Sequence, residues 1–254
     1  MSMDRRKFLG AAGLATVAVA GSGTLKTLGG SHDKERKNES GTRWAMVIDP
    51  QKCMRAEGCD KCIRACHETH NVPSFEDPRH EVKWIWKESF EDAFPNQHND
   101  YTQEVFKKKD VLVFCNHCDN PPCVRVCPTK ATWKREDGVV MMDWHRCIGC
   151  RYCVAACPYG SRSFNWLDPR TKLKKMDPGY PTRTKGVVEK CTFCEEKLAR
   201  GEQPACVEAC PEGAMVFGNL DDPQSEVRKI LRSKYTIRRK AELGTMPEIY
   251  YVVR

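Results

Sequence analysis

The chain has 254 residues, 40% of them apolar, and a formal net charge of +8 at pH 7. That length holds one large or two small domains, and no stretch beyond the N-terminal segment approaches eighteen apolar residues, which excludes a multi-pass membrane protein. The conspicuous excess is in cysteine: there are sixteen, and every one of them falls into a quartet.

In chain order, the first element is a leader. Asp4-Arg5-Arg6-Lys7-Phe8-Leu9 resembles a twin-arginine export signal, followed by an apolar stretch from Phe8 to Ala20 and a small-residue cleavage site at Ala18-Val19-Ala20. Residues 1–30 are therefore set apart from the fold. Residues 31–43, rich in Gly, Ser and charge, are expected to be a flexible leader. The apolar stretch is short for a membrane span, so an uncleaved signal is at most a weak anchor.

The fold is expected to begin with a strand at Trp44–Ile48. Asp49-Pro50-Gln51-Lys52-Cys53 follows it and opens the first quartet, Cys53-x5-Cys59-x2-Cys62-x3-Cys66. Residues 67–114 form an insertion carrying Trp84, Trp86, Phe90, Phe94, Tyr101 and Phe106, with Val82, Trp84 and Trp86 alternating as on one face of a strand. Its expected role is a small core over the cysteine sites, with a partner interface as the alternative. The second quartet is Cys115-x2-Cys118-x4-Cys123-x3-Cys127. Asp137-Gly138, between Ala131–Lys134 and Val139–Met142, is a hairpin signal. Asp143-Trp144-His145-Arg146-Cys147 then repeats the D-x-x-[K/R]-C opening, and the third quartet is Cys147-x2-Cys150-x2-Cys153-x3-Cys157.

A second insertion, residues 159–190, is rich in Lys, Arg and Pro and reads as a long surface loop. The fourth quartet is Cys191-x2-Cys194-x11-Cys206-x3-Cys210, and Cys210-Pro211-Glu212-Gly213-Ala214 matches Cys127-Pro128-Thr129-Lys130-Ala131. The tail, residues 221–254, predicts a helix from Asp222-Pro223 to about Lys234, with Asp as cap and Pro in its first turn, and a closing strand at Ile249–Val253.

The third quartet is the bacterial ferredoxin run C-x2-C-x2-C-x3-C-P. Two-residue gaps let a tight loop aim three thiolates at three irons of one cubane, while the fourth cysteine reaches the neighbouring cluster. Sixteen thiolates at four per cluster predict four [4Fe–4S] clusters. Disulfides fit poorly, because C-x2-C pairs are too close to staple distant segments. Structural zinc is the stronger rival: Cys191, Cys194, Cys206 and Cys210 alone pass for a four-cysteine zinc site.

An oxidised cluster with its four thiolates carries about −2, so four bring the +8 to near neutral. That removes the case for nucleic-acid binding. Lys107–Lys109 and Lys172–Lys175 then read as solvated loops or partner contacts. The histidines show no zinc-like or triad spacing; His67 and His70 are expected to lie on the surface or behind the ligands, with a ligand pair as the alternative. No nucleophile motif, phosphate loop or dinucleotide fingerprint is present, and sixteen cysteines for sixteen iron positions leave none open for substrate. Arg146, Arg151 and Lys190, beside ligand cysteines, read either as local influences on a cluster potential or as surface charge.

The fold class these features predict is α+β, with two ferredoxin-like modules each binding two clusters. Residues 44–220 form a four-cluster domain interrupted by the two insertions, and 221–254 follow as a helix and strand. Four such quartets with a long gap inside the last, behind a twin-arginine signal, resemble the four-cluster subunits of complex iron–sulfur redox assemblies. The stretches Trp44–Asp49 and Cys66-His-Glu-Thr-His-Asn-Val-Pro73 resemble those of exported subunits in sulfur metabolism.

The resemblance implies that the quartets pair first with fourth and second with third. Cys53, Cys59 and Cys62 would share a cluster with Cys210, and Cys66 one with Cys191, Cys194 and Cys206. Cys115, Cys118 and Cys123 would join Cys157, and Cys147, Cys150 and Cys153 would join Cys127. It further implies a non-catalytic electron-transfer subunit on the extracytoplasmic face of the membrane. Its partners would be a polytopic NrfD-like quinone-reactive protein and a multihaem cytochrome or other redox subunit. Subunits serving molybdenum oxidoreductases or nitrite reduction share the same quartets.

Overall fold

The computed structural model describes residues 41–97 and 104–254. The signal segment, the leader up to residue 40, His98 and Tyr101 lie outside the described residues. The first strand, β1, is Trp44–Ile48, as the apolar run predicts. Asp49 ends it and caps helix α1 (Pro50–Arg55), its Oδ1 accepting from Lys52 N at 3.2 Å with Pro50 in the first turn. Helix α2 (Lys61–Thr69) carries Cys62 and Cys66 one turn apart, both buried.

The remaining elements are β2 (Ile85–Ser89), α3 (Phe90–Ala93), β3 (Asp110–Phe114), α4 (Pro122–Arg125), β4 (Thr132–Lys134), β5 (Val140–Met142), α5 (Tyr152–Ala155), β6 (Ser163–Phe164), β7 (Val188–Glu189), α6 (Glu195–Leu198), α7 (Ala205–Glu208), β8 (Met215–Asn219), α8 (Glu226–Ser233), β9 (Thr236–Ile237) and β10 (Ile249–Val252). The third cysteines of quartets two, three and four, Cys123, Cys153 and Cys206, each sit on a one-turn helix (α4, α5 and α7). The fourth follows just past its end, held by Cys127 N to Val124 O, Cys157 N to Val154 O and Cys210 N to Val207 O. The proline after each fourth cysteine has no N–H and disfavours helical backbone before it, so these helices stop. The first quartet has His67 in that position, and α2 runs on to Thr69.

One sheet has the order β8-β1-β10-β9, with β1 antiparallel to β8 and parallel to β10. The other three sheets are the pairs β2–β3, β4–β5 and β6–β7. An internal symmetry organises the molecule. Strands β1 and β8 pair Ile48 with Met215, and β5 and β4 pair Met142 with Thr132. Just beyond each pair, Asp49 N donates to Ala214 O and Asp143 N to Ala131 O, both at 2.7 Å. The middle module, around β4–β5, closes its strands with the predicted hairpin, where Gly138 has φ 87° and Arg135 N donates to Val139 O. The end module, around β1–β8, draws its two strands from opposite ends of the described fold.

Most of the core lies beside the end module. Trp84, Ile85, Phe90, Phe94, Phe106 and Val111–Phe114 from the first insertion pack with Met46, Ile48, Met215, Phe217, Ile249 and Tyr251. The insertion is therefore core, with one correction of register. Val82 and Trp84 are buried but precede the strand; from Ile85 onward β2 buries Ile85 and leaves Trp86 half-exposed.

The second insertion is also corrected. Its tip is exposed, but Tyr159, Ser161, Arg162, Asn165, Tyr180, Arg183 and Val187–Lys190 are buried, and β6 pairs with β7 to bring both arms inward. Composition suggested solvation because it could not show that these polar groups find internal partners. The tail helix begins later than predicted, at Glu226, because Ser225 caps it (Oγ to Arg228 N, 3.3 Å). Asp222 instead closes a preceding turn onto Gln224 N. The segment leading into β10 bonds to the middle module through Glu248 N to Asn116 O, Asp119 N to Met246 O and Asn120 N to Thr245 O.

Candidate metal centres

All sixteen cysteines are free of disulfides. Among the described residues the thiols gather in four places. Cys115, Cys118, Cys123 and Cys157 line one small cavity with Pro121, Pro122, Tyr159 and Arg162. Cys127, Cys147, Cys150 and Cys153 line a second, with Ala131, Met142, Ile148 and Val188. In the end module, burial pushes the Cys62 thiol up to about 12, and the charges that add to the shift belong to Cys53, Cys210 and Cys59. Burial also pushes Cys66 well above the ordinary thiol range, reinforced by Cys191, Cys194 and Cys206.

Each of the four sets has a thiol in the electrostatic field of the next. Cys62 stands among the neighbours of both Cys66 and Cys206. Cys191 is pushed up to about 12 by burial and then by Cys115 across the module boundary. Cys153 is raised by burial and, among its charged neighbours, by Cys123 and Cys147. Four crowded thiols cannot all ionise without a compensating cation, so the donor sets suit metal coordination. Backbone N–H groups already point at sulfur: Phe193 N to Cys191 Sγ and Ala205 N to Cys194 Sγ at 3.4 Å, and Ala214 N to Cys210 Sγ at 3.3 Å. Such donors stabilise cluster thiolates.

Behind the thiols lie buried polar groups, and His70 takes the place behind the ligands, one of its two expected positions. His70 is buried, with Nδ1 2.8 Å from Cys66 O and 3.8 Å from its Sγ, and Nε2 3.0 Å from Glu196 Oε1. Its ring stacks on Trp84. His70, Cys194 and Glu196 bring ligand atoms within 4.8 Å of one another, and Cys194 already belongs to the Cys66 set, so this group flanks that centre. His117 Nδ1 accepts from Val140 N, and its ring stacks on Phe193 at 3.7 Å.

Lys190 is no surface charge: it is fully buried, and its ammonium donates to the carbonyls of Val140 and Cys191. Arg146 does lie on the surface, paired with Asp143. Arg151 is exposed and stacks over Trp166 at 4.8 Å. Arg183 and Glu189 form a fully buried ion pair at 2.6 Å, which also receives Trp84 Nε1 at 3.0 Å and Asn165 Nδ2 at 2.5 Å. The pair Arg183–Glu189 with its bonds to Trp84 and Asn165, and the bond from Lys190 to Val140, have no local sequence signal, since they depend on elements brought together by the fold.

This arrangement defines an iron–sulfur protein. A 4Fe-4S dicluster domain matches residues 111–177 and another matches residues 146–214. The chain is 42% identical to the Hdr-like menaquinol oxidoreductase iron-sulfur subunit 1 of Archaeoglobus fulgidus, over 98% of this chain and 97% of that protein. It is 38% identical to protein NrfC of Escherichia coli over 99% and 96%, and 37% identical to the B component of polysulfide reductase from Wolinella succinogenes over 83% and 94%. The chain belongs to this family of iron–sulfur electron-transfer subunits and carries [4Fe–4S] clusters. No helix among the described residues is long and apolar enough to cross a membrane.

Proposed function

We propose that the chain conducts single electrons through four [4Fe–4S] clusters between a membrane quinone-reactive partner and a second redox subunit. The observation that carries this reading is the gathering of the thiols into sets, two of them lining small cavities, with a thiol of each set in the electrostatic field of the next. The ligand sets are Cys53, Cys59, Cys62 and Cys210; Cys66, Cys191, Cys194 and Cys206; Cys115, Cys118, Cys123 and Cys157; and Cys127, Cys147, Cys150 and Cys153. The clusters supply one-electron redox capacity. The chain ligates them, points N–H groups at sulfur and excludes water with the aromatic core of residues 67–114.

The particular assembly we favour is a sulfur-metabolism complex in which this chain corresponds to DsrO, the exported iron–sulfur subunit of DsrMKJOP. Trp44–Asp49, the widened first quartet and Cys66–Pro73 support that reading. Its partners would be an NrfD-like polytopic protein and a multihaem cytochrome. Export by the twin-arginine route follows from Asp4–Leu9, because clusters are inserted in a reducing compartment and the loaded protein must cross folded. A second reading, service to nitrite reduction or to a molybdenum oxidoreductase, is favoured by the near full-length match to NrfC and by the match to the polysulfide reductase component.

Metal analysis of the anaerobically purified protein is the first test, with about sixteen iron and sixteen sulfide per chain expected. Stoichiometric zinc with negligible sulfide refutes the reading. Cys66→Ser should remove or perturb the cluster shared with Cys191, Cys194 and Cys206 and leave the Cys53 cluster intact. Loss of the Cys53 cluster alone shows the pairing to be wrong. Detergent extraction followed by mass spectrometry should recover a polytopic membrane protein, and its identity separates the two assemblies. Arg5→Lys with Arg6→Lys should strand cluster-loaded protein in the cytoplasm; undiminished export refutes the twin-arginine reading.

A further inference from the structure

The two modules share strand register and an aspartate that accepts from the backbone N–H three residues on, but differ at a buried place. Ile48 and Met215 face each other across β1–β8, and both pack in the same apolar core as Cys206. The equivalent positions in the middle module are Met142, Thr132 and Cys123, and there a guanidinium enters. Arg162 is 4% exposed. Its Nη2 donates to Cys123 Sγ at 3.1 Å and to Thr132 Oγ1 at 2.8 Å, while Nη1 lies 3.7 Å from Met142 Sδ. Cys153 and Cys115 are the next thiols in its field.

Buried charge needs a counter-charge. The other two buried arginines have carboxylates: Glu189 for Arg183 and Glu88 for Arg239. The contacts of Arg162 are a hydroxyl and two sulfurs, with no carboxylate at ion-pair distance among the described residues. An arginine stays protonated at any pH the protein survives. The countercharge is therefore thiolate sulfur, and an N–H···S bond from a fixed cation stabilises a cluster more in its reduced, more negative state.

We propose that Arg162 is a positioning residue that raises the reduction potential of the cluster held by Cys115, Cys118, Cys123 and Cys157. This makes that cluster a favoured resting place for the electron. The step is one electron added to the cluster, supplied by a partner reductant or by dithionite in the titration, with no bond made or broken. This rests on the ligation proposed above.

The test is an EPR-monitored potentiometric titration of the full chain with its clusters, comparing wild type with Arg162→Gln. Iron and sulfide are assayed on the same samples. One cluster should become at least tenfold harder to reduce, a shift of about 59 mV for a one-electron couple, while the others move less. Arg162→Lys, which keeps the charge, should restore part of the shift. Full cluster content with no selective shift overturns the inference and leaves the ligation standing; absence of iron and sulfide from the wild type overturns the ligation instead.

A second measurement needs no variant. With 15N-arginine in otherwise unaltered protein, the hyperfine spectrum of one readily reduced cluster should carry an arginine nitrogen coupling. Absence of that coupling from every cluster overturns the inference, even where Arg162→Gln fails to assemble.

Discussion

The middle and end modules share a strand pairing and its bonded aspartate but hold their cysteines by different means. The middle module is local. Its cysteines span residues 115–157, a hairpin joins its strands, and its separate core is Cys123, Ala131, Val140, Met142, Cys153 and Val188. Two of those six are themselves proposed ligands. The end module joins residues 44–66 to 191–219 and rests on the large aromatic core of residues 82–114. A site with little apolar core of its own depends on its metal for folding energy, so the two modules should be unequally independent of iron.

Removing the clusters anaerobically with chelator and oxidant should produce the largest effect. Hydrogen exchange should rise to near the unfolded limit across 115–157, while β2–β3 and β1–β10 keep measurable protection. Equal loss in both modules would break the comparison.

The next largest effect concerns the buried ion pair of the second insertion, which also bonds Trp84 and Asn71 of the first. Glu189→Ala leaves Arg183 as an uncompensated charge, with side chains of both residues 0% exposed, and should cost about 3–5 kcal/mol. This is measured by anaerobic denaturation of the cluster-loaded protein. A cost below about 1 kcal/mol would show that the buried pair does not hold this part of the fold.

A pH effect sharpens the junction between the modules. Burial pushes the Glu248 carboxyl up to about 7, against the pull of Arg43, and its backbone N–H bonds to Asn116 O in the middle module. The unfolded chain ionises this group in the ordinary range near 4.5. Its contribution is thus fully present below about 4.5 and is lost as pH rises through about 7. Relative to Glu248→Gln, the wild type should lose about 2–3 kcal/mol of stability across that interval; parallel curves would contradict the assignment.

The smallest effect belongs to the middle module alone. Gly149 has φ +71°, and a side chain there would collide with the Gly186 carbonyl. Gly149→Ala should cost about 1–2 kcal/mol from the left-handed backbone, plus displacement of the Gly186 loop. Iron loss should be confined to the set containing Cys147 and Cys150. A neutral result would mean that the loop yields freely.

Much of this protein is legible in one dimension. Cysteine spacing, the proline after three of the quartets, the D-x-x-[K/R]-C repeat and the Asp137-Gly138 turn are local features, each acting within a few residues through backbone geometry. They determined the cluster chemistry, the short helices and the hairpin. The absence of proline at His67 even marks the one ligand helix that continues.

Only the tertiary structure decided which charged residues are buried. Arg162, Arg183, Lys190 and Glu189 lie in a Lys/Arg-rich stretch that composition assigns to solvent. Their burial depends on partners such as Cys123, Asn71, Val140 and Trp84. A charge enters a core when distant groups converge to satisfy it, and that convergence is a property of the folded chain rather than of any local pattern.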